Sequence, residues 1–270
     1  MTTLNASSPT DLGPGRVTAV AVVRSEWIKL KSLRSTWFSL LAAVLIVDGL
    51  GTLFSALHAH RGGRDPFDLD ATQISLRGVF LAQLAIGVLG VLVITGEYAT
   101  GMIRSSLSAV PRRHPVLFAK ALVFTVVAFV TAFAGTFIAF ELGQAAQSST
   151  HLQASLSTPG AWRAIIGAAT YLTLIGLLAV GVGFAVRNTA GAIATLFGIV
   201  LVAPLLTNAL PSPYDQDVMK FLPLSTGERV ITTVHPDPNL LSPWAGIGVT
   251  ALYALAALIA GFVVLKRRDA

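Results

Sequence analysis

The fold is decided by residues 78–96, GVFLAQLAIGVLGVLVITG, a run without a single charged side chain. About 20 apolar residues cross the hydrocarbon core of a bilayer as a helix, so this run predicts a transmembrane helix. Directly after it comes GEYATGMIRSSLSAVPRRHPVLFAK, residues 96–120, which is short, polar and basic. A further charge-free run follows at 121–140. The polar segment is too small for a domain, so we interpret it as a loop at the membrane surface.

The composition of the whole chain also indicates a membrane protein. Hydrophobic residues make up 54% of the sequence and charged residues only 12%, whereas soluble domains carry about 25% charged residues. The net charge of +6 could indicate nucleic-acid binding, but the basic residues flank apolar runs, which is typical of membrane proteins. We therefore expect no nucleic-acid partner. The absence of cysteine excludes disulfides and thiolate metal sites.

Charge-free intervals of similar length recur along the chain, and the first contains only Asp48. They predict an all-α, polytopic membrane protein with six transmembrane helices. We place these helices near residues 37–57, 78–95, 117–140, 163–186, 190–210 and 244–265.

Lys and Arg predict the orientation, because they are enriched in cytoplasmic segments. They are concentrated in the segments that would share a side with the N-terminus, including the tail Lys266, Arg267 and Arg268. We therefore expect both termini in the cytoplasm and a multi-pass protein of the cell membrane.

Three regions are expected along the chain. Residues 1–15 are polar and predict a disordered tail. Residues 16–36 predict an amphipathic interfacial helix, with an apolar side formed by Val20, Val23, Trp27 and Leu30. A merely basic flank is the alternative for that region. Residues 37–270 form the six-helix transmembrane domain.

Asp48 is the one ionisable residue expected deep in a span, and such residues are functional candidates by default. Its burial without a partner would cost several kcal/mol, so it should face protein, water or a partner such as Arg77. One interpretation is a role in a translocation path or gate. The alternative is that the first span ends early and Asp48 lies in a wet outer vestibule.

Two outer segments contain other polar candidates. Residues 58–76 contain His58, His60, Asp65, Asp68 and Asp70, but an irregular loop fixes no ligand geometry. A solvated loop is the better interpretation, and no metal is expected. Residues 211–243 are rich in proline and predict short helices at 217–222 and 226–234. They form either a lid or re-entrant element or an ordinary loop.

Signatures of catalysis and of nucleotide binding are missing. The sequence contains no His-Glu-x-x-His, no G-x-S-x-G and no G-x-x-x-x-G-K-[ST] phosphate loop. We therefore expect no catalytic residue and no cofactor bound by this chain. If nucleotide hydrolysis drives the protein, a separate polypeptide must supply it.

Two stretches, SEWIKLKSLRSTW at 25–37 and the loop at 96–120, resemble permease subunits of the type-2 ATP-binding-cassette (ABC) exporter family. The family's loop pattern runs from an acidic residue through Thr-Gly, a basic residue, Leu and Pro-x-Arg to a Lys that opens the next helix. The matching positions here are Glu97, Thr100, Gly101, Arg104, Leu107, Pro111, Arg113 and Lys120. The stretch KFLPLSTGERVITTV at 220–234, which contains Pro223, resembles the family's outer-gate element.

The resemblance implies a mechanism. The loop would hold a coupling helix that docks on an ABC ATPase subunit, where ATP and Mg would bind, and a second permease subunit would complete the transporter. We expect a helix over 97–109, with Glu97 in its first turn and Pro111 ending it. Export of a lipid, a drug or antibiotic, or a peptide is implied. The alternatives are a nucleotide-independent carrier or channel using Asp48, or a membrane enzyme or immunity protein without transport.

Overall fold

A computed structural model describes residues 18–60, 70–103, 114–148, 153–234 and 237–268. These residues are helical with short connections, and no strand occurs among them. The helices are α1 (Ala19–Ser32), α2 (Arg34–His60), α3 (Ala71–Leu76), α4 (Val79–Ala99), α5 (His114–Ala146), α6 (Ala161–Val186), α7 (Thr189–Phe197), α8 (Ala203–Thr207), α9 (Tyr214–Met219), α10 (Pro223–Ile231) and α11 (Pro243–Arg268).

Six stretches are long and apolar enough to cross a membrane, which confirms the predicted number and order of spans. Most of the helices extend a few residues beyond the limits predicted for the spans. Those limits follow from the charge-free intervals, whereas the helical hydrogen bonds of the backbone continue past them. Spans 1 to 6 are Arg34–His60, Ala71–Ala99, His114–Ala146, Ala161–Val186, Thr189–Thr207 and Pro243–Arg267.

Span 4 is the centre of the bundle and packs against spans 2, 3 and 6. Glycine allows these close approaches: a Cβ at Gly90 would lie 2.4 Å from the carbonyl oxygen of Gly176. A Cβ at Gly181 would lie 2.5 Å from the backbone of Ala257. Small residues therefore let the backbones pack directly, as is common between membrane helices.

Helix α1 lies along the first turns of α5, where Val22 packs with Val116 and Ala119. We call the end of the bundle that carries α1 the α1 end, and the other the opposite end. A helix is present within the predicted region 16–36, from Ala19 to Ser32. Of the predicted apolar side, Leu30 is buried in the bundle, whereas Val20 and Trp27 are exposed on its outside, so the interfacial location of the helix stays a prediction. The buried face is Val22, Glu26 and Leu30, since Glu26 finds basic partners inside the protein.

Span 5 is irregular in its middle. Residues Gly198–Val202 form a π-helical turn between α7 and α8. Pro204 follows within the next turn and has no N–H to donate to the carbonyl four residues earlier. The wider turn accommodates that interruption, as π-bulges do within α-helices.

The proline-rich segment at the opposite end contains two short helices, as predicted, but with different bounds. Pro223 occupies the first turn of α10, where its missing N–H costs nothing. Val230 is buried against Gly167, and the Thr226 hydroxyl donates to the carbonyl of Gly246 (3.3 Å). One face of α10 is therefore packed into the bundle, so the ordinary-loop alternative is wrong for this helix.

Candidate functional site

The segment singled out by its sequence begins where span 2 ends, at the α1 end. Helix α4 ends at Ala99, and the Thr100 hydroxyl donates to the carbonyl of Gly96 (3.0 Å). Gly101 has φ +71°, a left-handed conformation that ends helices and favours glycine. The chain therefore leaves span 2 through a sharp turn.

This turn corrects one prediction. Glu97 lies in the last turn of α4, not in the first turn of a separate helix over 97–109. Thr100 and Gly101 form the turn itself. Arg104, Leu107, Pro111 and Arg113 lie outside the described residues, so their role in the loop stays a prediction.

Glu97 belongs to a buried cluster of four charged side chains, which we call the charge cluster: Glu26, Lys29, Glu97 and Lys120. Lys120 Nζ lies 2.5 Å from a Glu26 carboxylate oxygen and 2.9 Å from Glu97 Oε1. Lys29 Nζ lies 2.8 Å from Glu26 Oε1 and 3.3 Å from Glu97 Oε1. Each cation therefore bridges both carboxylates.

The cluster is well shielded from solvent. Lys120, Glu26 and Glu97 are only 3 to 5% exposed, and their charges and that of Lys29 balance. Burial by itself would lower the pKa of Lys29, but the hydrogen bonds and charges of Glu26 and Glu97 raise it overall. Lys29 is therefore held in its charged form, and its stabilising contribution is lost only as the pH rises through that raised pKa.

The charge cluster joins three elements far apart in sequence. Glu26 and Lys29 come from α1, Glu97 ends α4 and Lys120 lies in the second turn of α5. Sequence reasoning placed Lys120 in the family's loop pattern but missed its partners. A signal was present: Glu26 lies four residues from both Val22 and Leu30, on the face that the structure buries.

A second set of contacts joins the end of span 2 to spans 4, 5 and 6. The Arg187 guanidinium lies 5.2 Å from the centroid of the Tyr98 ring and donates to the carbonyl of Val264 (2.9 Å). The hydroxyl of Thr189 donates to that of Thr95 (2.9 Å). The end of span 2 therefore contacts the end of span 4 and the start of span 5 directly, and it reaches span 6 through Arg187.

Asp48 is half-buried in span 1, as its position in the sequence predicted. Its Oδ1 atom is buried and has no hydrogen-bond partner among the described residues. Arg77, named as one example of a partner, does not satisfy this atom, so the expectation that remains is that Asp48 faces protein or water. Asp48 Oδ1 thus lies in a membrane span without a partner among the described residues, and the function of Asp48 stays a prediction.

At the opposite end, Asp70 anchors the segment that follows α10. Its carboxylate caps α3 at the Gln73 N–H (3.0 Å) and accepts from the Thr233 hydroxyl (2.9 Å), the Thr233 N–H and the Val234 N–H (2.9 Å). Asp70 is 5% exposed, so the solvated-loop interpretation is wrong for this residue. Pro223, the predicted gate residue, is buried at the start of α10.

No group of residues suited to a metal occurs in the described part of the chain.

The helical bundle, with six apolar spans and the charge cluster at the α1 end, is that of a multi-pass membrane protein. Residues 22–204 match the family described as ABC-2 family transporter protein, and the chain belongs to this family. It is therefore a membrane-spanning permease component of an ABC transporter, a class that works with an ABC ATPase. The chain has no significant match among curated proteins.

Proposed function

We propose that this chain is the permease subunit of an ATP-driven exporter and that its ATPase subunit docks on residues 97–113. The observation that carries the proposal is the charge cluster, which fixes the start of this segment to α1 and span 3. ATP and Mg would bind to the partner, because the sequence has no phosphate loop. The α1 end and both termini would lie in the cytoplasm of a cell whose plasma membrane holds the transporter.

The contacts of the charge cluster suggest how a push on the segment would travel. Separating its buried ion pairs would leave charges without partners in a low-dielectric environment. A displacement of the segment would therefore move α1 and the ends of spans 2 and 3 together. The contacts of Arg187 with Tyr98 and Val264 would pass part of that displacement to spans 4 and 6.

The opposite end would then respond as an outer gate. Helix α10 begins at Pro223 and is tethered to the start of span 2 through Asp70. A movement of span 2 would therefore displace α10 as well. A second permease subunit, identical or different, would complete the path, and the cargo would be a lipid, a hydrophobic drug or antibiotic, or a peptide.

Docking is tested by co-purification of the ATPase subunit with the full chain from native membranes. Arg104→Glu and Arg113→Glu should each reduce the recovered ATPase strongly. Arg24→Glu is the matched control, because Arg24 is an exposed cation of α1 at the same end. Full recovery of the ATPase with the double Arg104→Glu, Arg113→Glu variant would refute docking on this segment.

A second candidate function is a nucleotide-independent carrier, favoured by Asp48 Oδ1, which is buried and has no hydrogen-bond partner among the described residues. Transport in membrane vesicles depleted of ATP separates the two. Uptake or release that persists without ATP and is lost in Asp48→Asn would support the carrier. Strict dependence on ATP, with normal transport by Asp48→Asn, would leave the ABC exporter.

A further inference from the structure

An apolar groove lies between α1, the start of α2 and the middle of α5. Its cavity volume is about 360 Å³, within the range of roughly 300–1,000 Å³ that is typical of small-molecule sites. Leu40, Val126 and Val130 form much of its wall, and Trp27 and Trp37 lie at its sides. We call it the α1 groove. Both tryptophans and both valines are exposed, so the groove is open towards the surroundings of the bundle.

The charge-free part of α5 places this groove inside the bilayer, next to the edge at the α1 end. Helix α5 has 33 residues, so it is about 50 Å long and exceeds the hydrocarbon core of about 30 Å. Its charge-free part, residues 121–140, is about 30 Å long at 1.5 Å per residue and lies between Lys120 and the exposed Glu141. Lys120 and Glu141 therefore mark the two edges of the hydrocarbon core, and Val126 and Val130 lie within it, nearer to Lys120. The charge cluster, at Lys120, lies beyond the groove on the aqueous side.

The groove has the electrostatics of a site for an anion. Lys31 lines it, and Arg34 begins α2 one turn before Trp37. Both side chains are exposed, and neither makes an ion pair with another described residue. Glu26, the acidic residue of α1, is engaged with Lys29 and Lys120. The two cations therefore face the membrane interface without a protein counter-charge in the described ranges.

Two details of the wall favour an amphipathic ligand. The Trp37 indole N–H donates to the backbone carbonyl of Lys31 (2.9 Å), which fixes the ring against the last turn of α1. Thr36 also lines the groove and is only 1% exposed, yet its hydroxyl has no hydrogen-bond partner among the described residues. A buried polar group without a partner is uncommon, and a ligand oxygen at this wall of the groove is one group that would satisfy it.

We propose that the α1 groove binds one anionic phospholipid from the leaflet that surrounds α1. The phosphate headgroup lies on Lys31 and Arg34, an ester or phosphate oxygen pairs with the Thr36 hydroxyl, and an acyl chain covers Leu40, Val126 and Val130. A zwitterionic lipid fits less well, because its own cation would lie beside two protein cations. A second copy of this chain, with a net charge of +6, also offers poor charge complementarity. The lipid would hold α1 against spans 1 and 3, and its binding does not depend on the proposed docking of an ATPase.

The test is lipid titration of the delipidated full chain in detergent, monitored by native mass spectrometry. Phosphatidylglycerol and phosphatidylcholine with the same acyl chains are compared. We expect one phosphatidylglycerol to bind preferentially. Lys31→Gln and Arg34→Gln should each weaken it about fivefold, equivalent to about 1 kcal/mol per cation near a membrane surface. The control Arg24→Gln removes an exposed cation of the same helix outside the groove and should leave binding unchanged.

A groove-filling variant tests the acyl-chain position. Val130→Trp should abolish the preferential binding event while the thermal unfolding midpoint stays close to that of the parent. Equal binding of the two lipids, or unchanged binding in the Lys31→Gln, Arg34→Gln double variant, would overturn the proposal. So would loss of self-association in Val130→Trp with lipid binding intact, since the groove would then be an interface between copies.

Discussion

At the scale of single residues, the charge cluster changes the meaning of Glu97. The sequence pattern placed Glu97 in a surface loop, whereas the structure buries it between Lys120 and Lys29. Buried ion pairs contribute little net stability compared with apolar residues of the same shape. Removal of one partner is nevertheless strongly destabilising, because it leaves a buried charge without a counter-charge. The cluster is therefore better explained as a device that fixes the relative positions of α1 and spans 2 and 3.

Lys120→Met tests that dependence. The variant leaves two buried carboxylates with only Lys29, so the free energy of unfolding should fall by about 3–5 kcal/mol. Lys220→Met is the matched control, because Lys220 pairs with Asp217 (2.8 Å) in a partly exposed i,i+3 contact and should lose less than about 1 kcal/mol. Detergent-driven unfolding measures both. Equal losses would show that the cluster is not a buried network.

The two aspartates of the first helical hairpin should respond in opposite ways. Asp48→Ala removes a half-buried carboxylate whose Oδ1 has no partner in the described chain, so stability should be unchanged or higher. Asp70→Ala removes the α3 cap and the contacts to Thr233 and Val234, so at least about 2 kcal/mol should be lost. The same unfolding assay compares them. A loss in Asp48→Ala as large as in Asp70→Ala would reveal a partner for Asp48.

At the scale of elements, the pattern of charges along the sequence was sufficient to find the spans. Span number and order follow from hydropathy because a bilayer imposes its thickness on each helix separately. The buried face of α1 and the packing of α10 depend on contacts with distant residues, such as Glu26 with Lys120 and Val230 with Gly167. Helical periodicity within one segment contains no information about such partners.

Close packing of span 1 on α3 gives an element-scale prediction. A Cβ at Gly51 would lie 2.1 Å from the carbonyl oxygen of Ser75, whereas a Cβ at Gly49 would meet nothing within 4 Å. Gly51→Ala should therefore separate the two helices and cost about 1–3 kcal/mol. Gly49→Ala should be neutral or stabilise by up to about 1 kcal/mol through helix propensity. Equal thermal unfolding midpoints for the two variants would contradict the packing.

At the scale of the whole molecule, the fold class and family could be predicted, but the site could be predicted only in part. The loop pattern identified Glu97, Thr100 and Gly101 as a special segment, and the structure makes them the end of span 2 and its turn. The charge cluster combines residues separated by up to 94 positions. Only the folded bundle brings Glu26 and Lys120 together, so no local motif could reveal their contact.

The central claim is that a separate ATPase subunit contacts the chain directly after span 2. The sequence contains no cysteine, so a single introduced thiol is a specific cross-linking site. Met102 is 39% exposed just after the turn at Gly101, and Tyr214 is 65% exposed at the opposite end. In native membranes, a short thiol-reactive cross-linker on Met102→Cys should capture the ATPase subunit, whereas Tyr214→Cys should not. Capture from Tyr214→Cys, or from neither position, would contradict the account.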